Sequence, residues 1–396
     1  MNKIKQNNFK IVAITGAEAS AQAMRQINPE VIAAYPITPQ TPIIMKYAQF
    51  VADGVVDTEL VPVESEHSAQ SVVVGASAAG VRAMTATSSA GLALMGEILG
   101  VASGLRLPIV MNVVNRAISA PINIHCDHSD SMGTRDHGWI QIYCESAQEA
   151  YEYTLIAVRL AESKGVSLPV MIMQDGFITS HGVENVKLYS DSIVKKFLGK
   201  YHPKHSLLDT EHPVTVGPLV LPDYLFEIKR QQQEAIAIAK KNFLLIGKEF
   251  SKISGQVYNY FEKYRMNDAQ AVIVTMSSTV GTVKQTVDNL RKQGKKVGLL
   301  KIKMFRPFPY MEVARVLKNI KIIGVLDRSF SFGAYPPLVS EIRNALFNLP
   351  NKQPIVQSYV FGIGGRDIKI EQISKVFQDL LAKKYNQKIK YIGLRN

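Results

Sequence analysis

Three short segments combine residue types that could do chemistry, each where an apolar run ends. Tyr35 to Pro42, YPITPQTP, holds three prolines within seven residues. These keep the backbone extended and stiff, so the hydroxyl of Thr38, between Pro36 and Pro39, would be presented from a rigid turn. The same residues also fit a plain connection in which Thr41 caps a helix with Pro42 at its first position. Pro62 to Ser71, PVESEHSAQS, places Glu64 and Glu66 where a strand gives way to a small-residue helix. Ser65 could cap that helix and Glu66 favour its N-terminal dipole. Alternatively, apolar surroundings could raise the pKa of one carboxyl so that it holds a proton.

The third segment runs from Val113 to Trp139, VVNRAISAPINIHCDHSDSMGTRDHGW. Arg116 follows the apolar run IVMNVV and needs a partner if it is buried. A substrate carboxylate suits its planar fork, and a structural salt bridge is the alternative. His125, Cys126, Asp127, His128, Asp130 and His137 cluster beyond it. Their spacing matches no familiar zinc pattern, so the expectation is no metal and a polar loop at an interface.

These residues need a scaffold of alternating strands and helices. The expected strands are 10–14, 31–35, 60–63, 81–85, 108–113 and 168–173, and the expected helices 17–27, 66–79, 91–104 and 147–163. Apolar strands without polar alternation imply burial on both faces. The alternation implies a doubly wound α/β parallel sheet, whose ligands sit beyond the carboxyl ends of the strands. Residues 186–224, with four prolines, read as a long irregular connection, and residues 225–265 as one helix. A second α/β unit follows, with strands at 271–276, 297–302, 320–326 and 354–360 and helices at 280–292, 310–317, 335–346 and 371–383. The expected division is 1–224, a helical linker at 225–267, and a smaller α/β domain at 268–396.

The chain has 396 residues, of which 46% are hydrophobic and 20% charged. Such a composition excludes a disordered, collagen-like or disulfide-scaffold chain. No apolar run reaches the length of a transmembrane helix and no signal peptide is expected. A cytoplasmic protein with two free thiols, Cys126 and Cys144, follows. The net charge of +13 is uneven, near −6 over residues 1–185 and +19 over the rest. No nucleic-acid motif accompanies the scattered lysines, so neither nucleic acid nor a membrane is the expected partner. A solvated surface or an acidic protein partner fits them better.

Taken in order, GAEAS, YPITPQTP, ESEHSA, ATSSAGLALMGE, VNRAISAP, DHSDSMGTRDHGW and DGFITSH resemble the α subunits of the 2-oxoacid:ferredoxin oxidoreductase family, those of pyruvate:ferredoxin oxidoreductase in particular. The later segments VTMSSTVGTVKQTV, KMFRPFP and VLDRSFSFG resemble the transketolase-C-terminal-like domain of those subunits. The resemblance implies a thiamine-diphosphate enzyme, with a pyrimidine-binding sheet first and the transketolase-like domain second. The reaction would oxidise pyruvate with coenzyme A to acetyl-CoA, CO₂ and reduced ferredoxin. Glu66 would contact the aminopyrimidine of the cofactor and favour its imino tautomer, with Glu64 the competing assignment. Thr38 and Arg116 would bind the substrate carboxylate.

Two absences fit that family's subunit division. No GDG is followed by Asn-Asn at about 25–30 residues, so Mg²⁺ and the diphosphate half of the cofactor are expected on another subunit. Two cysteines cannot ligate a [4Fe–4S] cluster, so the clusters too are expected on partner subunits of β, γ and δ type. Another 2-oxoacid, such as 2-oxoglutarate or a branched-chain acid, or a non-catalytic scaffold role, are the alternatives. A role for the second domain in admitting coenzyme A stands open beside a structural one.

Overall fold

In the computed structural model, residues 8–350, 353–386 and 388–395 are described. The first strand, β1 (Phe9–Thr15), departs from expectation. It pairs antiparallel with β8 (Val183–Tyr189) in a separate two-stranded ribbon. Tyr189 N–H and Lys187 N–H also bond to side chains of helix Ala147–Ala161, at Tyr151 and Gln148. The ribbon therefore lies against that helix rather than in the main sheet.

The main sheet contains β2 (Val31–Ala34), β3 (Glu59–Pro62), β4 (Ala83–Thr87), β5 (Val110–Asn115), β6 (Ile140–Tyr143) and β7 (Val170–Asp175). All are parallel. Every residue of β4, β5, β6 and β7 is buried, as expected for a sheet covered by helices on both faces. Strand β6 is short and was not anticipated from the sequence; its IQIY carries a polar residue inside a buried strand.

A second sheet has the order β15-β14-β13-β10-β11-β9. Its strands are β9 (Phe261–Tyr264), β10 (Ala271–Met276), β11 (Val297–Ile302), β13 (Ile322–Asp327), β14 (Ile355–Phe361) and β15 (Lys390–Ile392). Strand β12 (Met304–Arg306) leaves this unit and pairs antiparallel with β6, so the first sheet reads β12-β6-β7-β5-β4-β2-β3. The FRPFP segment thus begins in an edge strand that joins the two sheets.

Beyond shifts of a residue or two, such as β4, β5 and β13, three elements differ from the sequence reading. The stretch 91–104 is two helices, Ser89–Leu94 and Gly96–Gly104. The connection after residue 185 begins with β8 and helix Asp191–Leu198, and only the chain from 199 to 221 lacks helix or strand. The long helix runs Pro222–Ser254 and stops at Gly255, whose φ of 73° suits glycine and lets its N–H reach Ser251 O at 2.9 Å. The chain then turns back as β9, where a continuous helix to residue 265 was expected.

The two sheets meet across buried charge. Lys301 on β11 is 1% exposed and donates to Glu145 and Glu149 of the first unit at 2.6 Å each. Lys303 lies 3.2 Å from Glu149. Burial would raise the pKa of Glu149, but these lysines outweigh it and hold the carboxyl down at about 2. Without Lys301, Glu149 keeps Lys303 and Glu145 keeps Lys284, so each carboxylate is under-compensated rather than stranded. Lys301→Met should therefore destabilise the chain by about 2–3 kcal/mol, short of the cost of a fully stranded charge, read as a lower denaturant midpoint at unchanged m-value. A loss below about 1 kcal/mol, the scale of an exposed pair, would show that the seam does not depend on this cation.

Candidate functional site

The chain leaves β2 toward β3 on one side and returns from β3 to β4 on the other. Such a reversal, at the carboxyl ends of the strands, is where ligands of doubly wound sheets bind. The loop of Thr38 follows β2, Glu66 follows β3, Ser89 follows β4, and Arg116 follows β5. The topology thus gathers all three expected site residues on one rim.

Helix Thr41–Ala52 begins one residue earlier than the capping alternative requires. Its N-cap is Gln40, without a side-chain capping bond, and Thr41 is already helical. Gln40 Oε1 instead accepts from Ile37 N–H at 3.3 Å and stiffens the turn before it. Pro39 packs against Gly176, where a Cβ would come 2.8 Å from Pro39 Cγ and 2.5 Å from Asn115 O. Thr38 itself is exposed.

Helix Glu66–Ala78 is capped by Ser65, whose hydroxyl accepts from Ser68 N–H at 3.2 Å. The two candidate glutamates then part company. Glu64 is exposed and its carboxylate accepts from the Ser68 hydroxyl, which holds its pKa below the ordinary range. Glu66 is 7% exposed, and among the described residues its carboxylate accepts no hydrogen bond. Gly91 makes room for it: a Cβ there would lie 2.6 Å from both Glu66 Oε1 and Thr87 Oγ1. Gln70, one helical turn on, leaves both ends of its amide unpartnered, and Thr87 and Ser88 leave their hydroxyls so. Buried polar groups are nearly always paired, so this cluster of unmet donors and acceptors marks a place for a polar ligand.

Arg116 is 6% exposed. Its Nη1 donates to Thr38 O at 2.9 Å and its Nε to Asn123 O at 3.0 Å. Among the described residues no carboxylate lies within salt-bridge distance of it. The structural ion pair weighed as its alternative role is thus not formed. Arg116 and Thr38 do meet, through the Thr38 carbonyl rather than its hydroxyl.

Asp130, one of the six residues in the polar cluster, organises this rim. Its buried carboxylate accepts from Ser89 N–H at 3.0 Å, Arg116 N–H at 3.0 Å, Asn115 Nδ2 at 2.7 Å and Ser131 N–H at 2.7 Å. It fixes the start of the helix that carries Gly91 and the residue that carries the guanidinium. No linear spacing signals this role, because its partners lie 15 and 41 residues away.

Of the remainder, His125, Cys126, Asp127 and His128 lie against the second unit, whereas His137 stands apart, bonded to Ser103 and Thr134. Cys126, His128 and Asp175 bring possible ligand atoms within 4.8 Å of one another. A cation already sits among them: Arg328 Nη1 is 2.8 Å from Asp175 Oδ2 and 3.8 Å from Cys126 Sγ. Asp175 also accepts from Ser277 Oγ at 2.6 Å and bonds to His128 Nε2 at 2.8 Å. Burial would raise its pKa, but His128 and Arg328 hold it well below the carboxylate range. Both cysteines are buried and unpaired. No helix among the described residues is long and apolar enough to cross a membrane.

Residues 22–246 match the family model described as pyruvate flavodoxin/ferredoxin oxidoreductase, thiamine diphosphate-binding, and residues 269–373 match pyruvate:ferredoxin oxidoreductase core domain II. The pyruvate synthase subunit PorA of Thermotoga maritima is 59% identical over 97% of this chain and 98% of that protein. The PorA of Methanocaldococcus jannaschii is 45% identical over 98% of both chains. The ketoisovalerate oxidoreductase subunit VorA of Pyrococcus abyssi is 44% identical over 93% of this chain and 92% of that one. Among solved structures, the 2-oxoglutarate:ferredoxin oxidoreductase from Magnetococcus marinus superimposes with a TM-score of 0.73 at 21% identity. That match covers 94% of this chain, which spans 65% of the Magnetococcus chain's length. A split-gene transketolase matches with a TM-score of 0.54 at 11% identity, over 94% of this chain and 99% of that one. The last two comparisons bear on the fold alone, and they agree with the expected α/β architecture.

Burial pushes the pKa of Asp130 up to about 6 against the four donors that lower it. A carboxyl raised on folding contributes stability that is full below its unfolded pKa and is lost as pH rises through the folded value. The stability of the natural chain relative to Asp130→Asn should therefore fall by up to about 3 kcal/mol between about pH 4 and pH 7, measured by denaturant unfolding. A difference that stays flat with pH would contradict the raised pKa.

Proposed function

The chain belongs to the pyruvate:ferredoxin oxidoreductase family, and from that premise we propose that it forms one wall of a thiamine diphosphate pocket, with Glu66 toward the aminopyrimidine and Thr38 and Arg116 toward the carboxylate of a 2-oxoacid. It is an oxidoreductase subunit of the pyruvate synthase type. In that reaction pyruvate and coenzyme A give acetyl-CoA, CO₂ and reduced ferredoxin.

One observation carries this reading: a buried carboxylate and a buried guanidinium, each without an ionic partner among the described residues, share one rim. Stranded buried charge is costly, and each cost is removed by a ligand of the matching kind. The residues also fit the cofactor. Glu66 is free to bond to a ring nitrogen, Gly91 keeps the approach to Glu66 open, and the unpartnered Gln70, Thr87 and Ser88 offer further polar contacts.

When bound, thiamine diphosphate supplies the carbanion chemistry by which a 2-oxoacid loses CO₂. Glu66 shares a proton with the pyrimidine ring and fixes its tautomer. Arg116 holds the substrate carboxylate by charge and by its planar fork. Two carbonyl oxygens orient the guanidinium without neutralising it, so its charge stays available to the substrate anion. Because the carboxylate departs as CO₂, that grip must orient it without stabilising it too strongly in the ground state.

Mg²⁺, the diphosphate half of the cofactor and the [4Fe–4S] clusters belong, in this proposal, to partner subunits of β, γ and δ type in a cytoplasmic complex. Two cysteines, both buried away from each other's bonding, cannot hold such a cluster. The division into 1–224, 225–267 and 268–396 is part of the same proposal, with the end of the middle segment, β9, already paired into the second sheet. A second reading, action on a branched-chain 2-oxoacid, is supported by the ketoisovalerate relatives at 44% identity.

The untagged complex should co-purify with smaller iron–sulfur polypeptides and be brown; a colourless homo-oligomer would contradict the subunit assignment. In the assembled complex, Glu66→Gln should lower turnover, and Arg116→Ala kcat/KM for pyruvate chiefly through KM, by at least about 10²-fold, the scale of acid–base and electrostatic contributions. Near-normal kinetics in both variants would make the chain a scaffold. Comparing kcat/KM for pyruvate, ketoisovalerate and 2-oxoglutarate separates the two readings, and pyruvate should lead.

A further inference from the structure

Arg116 depends on a loop that has no secondary structure of its own. The acceptor of its Nε, Asn123 O, lies between β5 and helix Ser129–Gly133, in a segment that is neither helix nor strand. Within the segment, Ala117 N–H donates to His125 O at 3.0 Å and His125 N–H to Asn123 Oδ1 at 2.7 Å. Those two bonds close its neck but leave its tip unanchored.

The returning limb of the loop, residues 123–128, is anchored by the second sheet's unit. Asn123 Nδ2 donates to Gly364 O at 3.2 Å, Gly364 N–H to Asp127 Oδ2 at 3.2 Å, and Gly365 N–H to Cys126 O at 2.6 Å. His128 N–H donates to Arg328 O at 2.8 Å. Arg328 is itself locked to Asp175 at the end of β7. The turn that makes these contacts must be glycine. Gly364 and Gly365 have φ of 61° and 79°, and a Cβ at Gly364 would lie 2.5 Å from Asn123 Nδ2, while one at Gly365 would collide with His125 Cβ.

We propose that the Gly362–Gly365 turn is a positioning element for the carboxylate clamp, so that docking of the second unit sets the aim of Arg116 and with it the affinity for the 2-oxoacid. The chain of contact is short. Gly364 holds the Asn123 side chain, the Asn123 carbonyl holds Arg116 Nε, and Thr38 O holds the other arm of the guanidinium. A shift of the turn moves one of the two carbonyls that orient the fork and leaves the other in place. The inference rests on Arg116 binding the substrate carboxylate, and it assigns the second unit a role inside the first unit's site.

Asn123→Ala deletes the tie to Gly364 together with the local bond from His125 N–H and keeps the carbonyl that Arg116 uses, so it is read beside Gly364→Ala, which leaves the Asn123–His125 bond's own groups in place. In the assembled complex it should raise KM for pyruvate about five- to twenty-fold, the scale of a lost coupling between neighbours. kcat should change less than about two-fold, as expected when uniform binding is lost, and KM for coenzyme A should not move. Gly364→Ala should act in the same direction; should it fail to assemble, Asn123→Ala alone decides. In an Arg116→Ala background, Asn123→Ala should add no further rise in KM. If Arg116→Ala raises KM but Asn123→Ala does not, or if the two effects multiply independently, the positioning role is overturned while the clamp stands. If Arg116→Ala leaves KM unchanged, the clamp itself is wrong and this inference falls with it.

Discussion

A carboxylate shut away from water must be met by donors, and it arranges whatever supplies them. Asp130 takes its donors from the start of the Ser89 helix, from the end of β5 and from its own helix. Ser89 leads to Gly91, the residue whose missing side chain lets Glu66 approach. Arg116 is the next residue after β5. One buried anion therefore fixes the backbone that carries the cation of the rim and the start of the helix whose Gly91 abuts the acid. Glu66 itself is held by its own helix after β3, and it meets the Asp130 network only through that packing. The raised pKa of Asp130 reflects the same compromise, since the donors offset most but not all of the cost of burial.

The second sheet is joined to the first by more than a linker. Strand β12 extends the first sheet, Lys301 and Lys303 answer Glu145 and Glu149, and Arg328 answers Asp175. The Arg328–Asp175 pair is shut away from water and the lysine–glutamate pairs are mostly so, and there attraction is less screened than at the surface. Such a seam holds the two units in one relative position, and breaking one pair leaves a buried ion under-compensated. That rigidity is what allows a turn at residues 362–365 to serve a loop that begins at residue 117.

Local signals made much of the scaffold legible. Unbroken apolar runs marked β5 and β7 as doubly buried, and Ser65 ahead of a small-residue run marked the helix of Glu66 and its cap. The order of motifs brought out the family, and the comparisons bear it out. Where pairing is long-range, the sequence was silent. β1 looked like any other apolar strand, yet its partner is β8 at the far end of the first unit. The helix 225–265 ended early because one glycine at a left-handed φ stops it, which the apolar spacing alone does not reveal. The choice between Glu64 and Glu66 was open for a similar reason: both follow the same strand, and burial separates them only once the helix of Ser89 packs across the rim.

By itself the sequence determined the sheet-and-helix alternation, the segments that meet at the strand ends, and the family those segments belong to, because each depends on residue type and near-neighbour spacing. The tertiary structure alone decided which charges are left unpartnered, which carboxylate organises the rim, and that a turn from the second unit steadies the loop beside Arg116. These depend on contacts between residues from 14 to more than 200 positions apart, and no local pattern specifies which distant donor will reach a given acceptor.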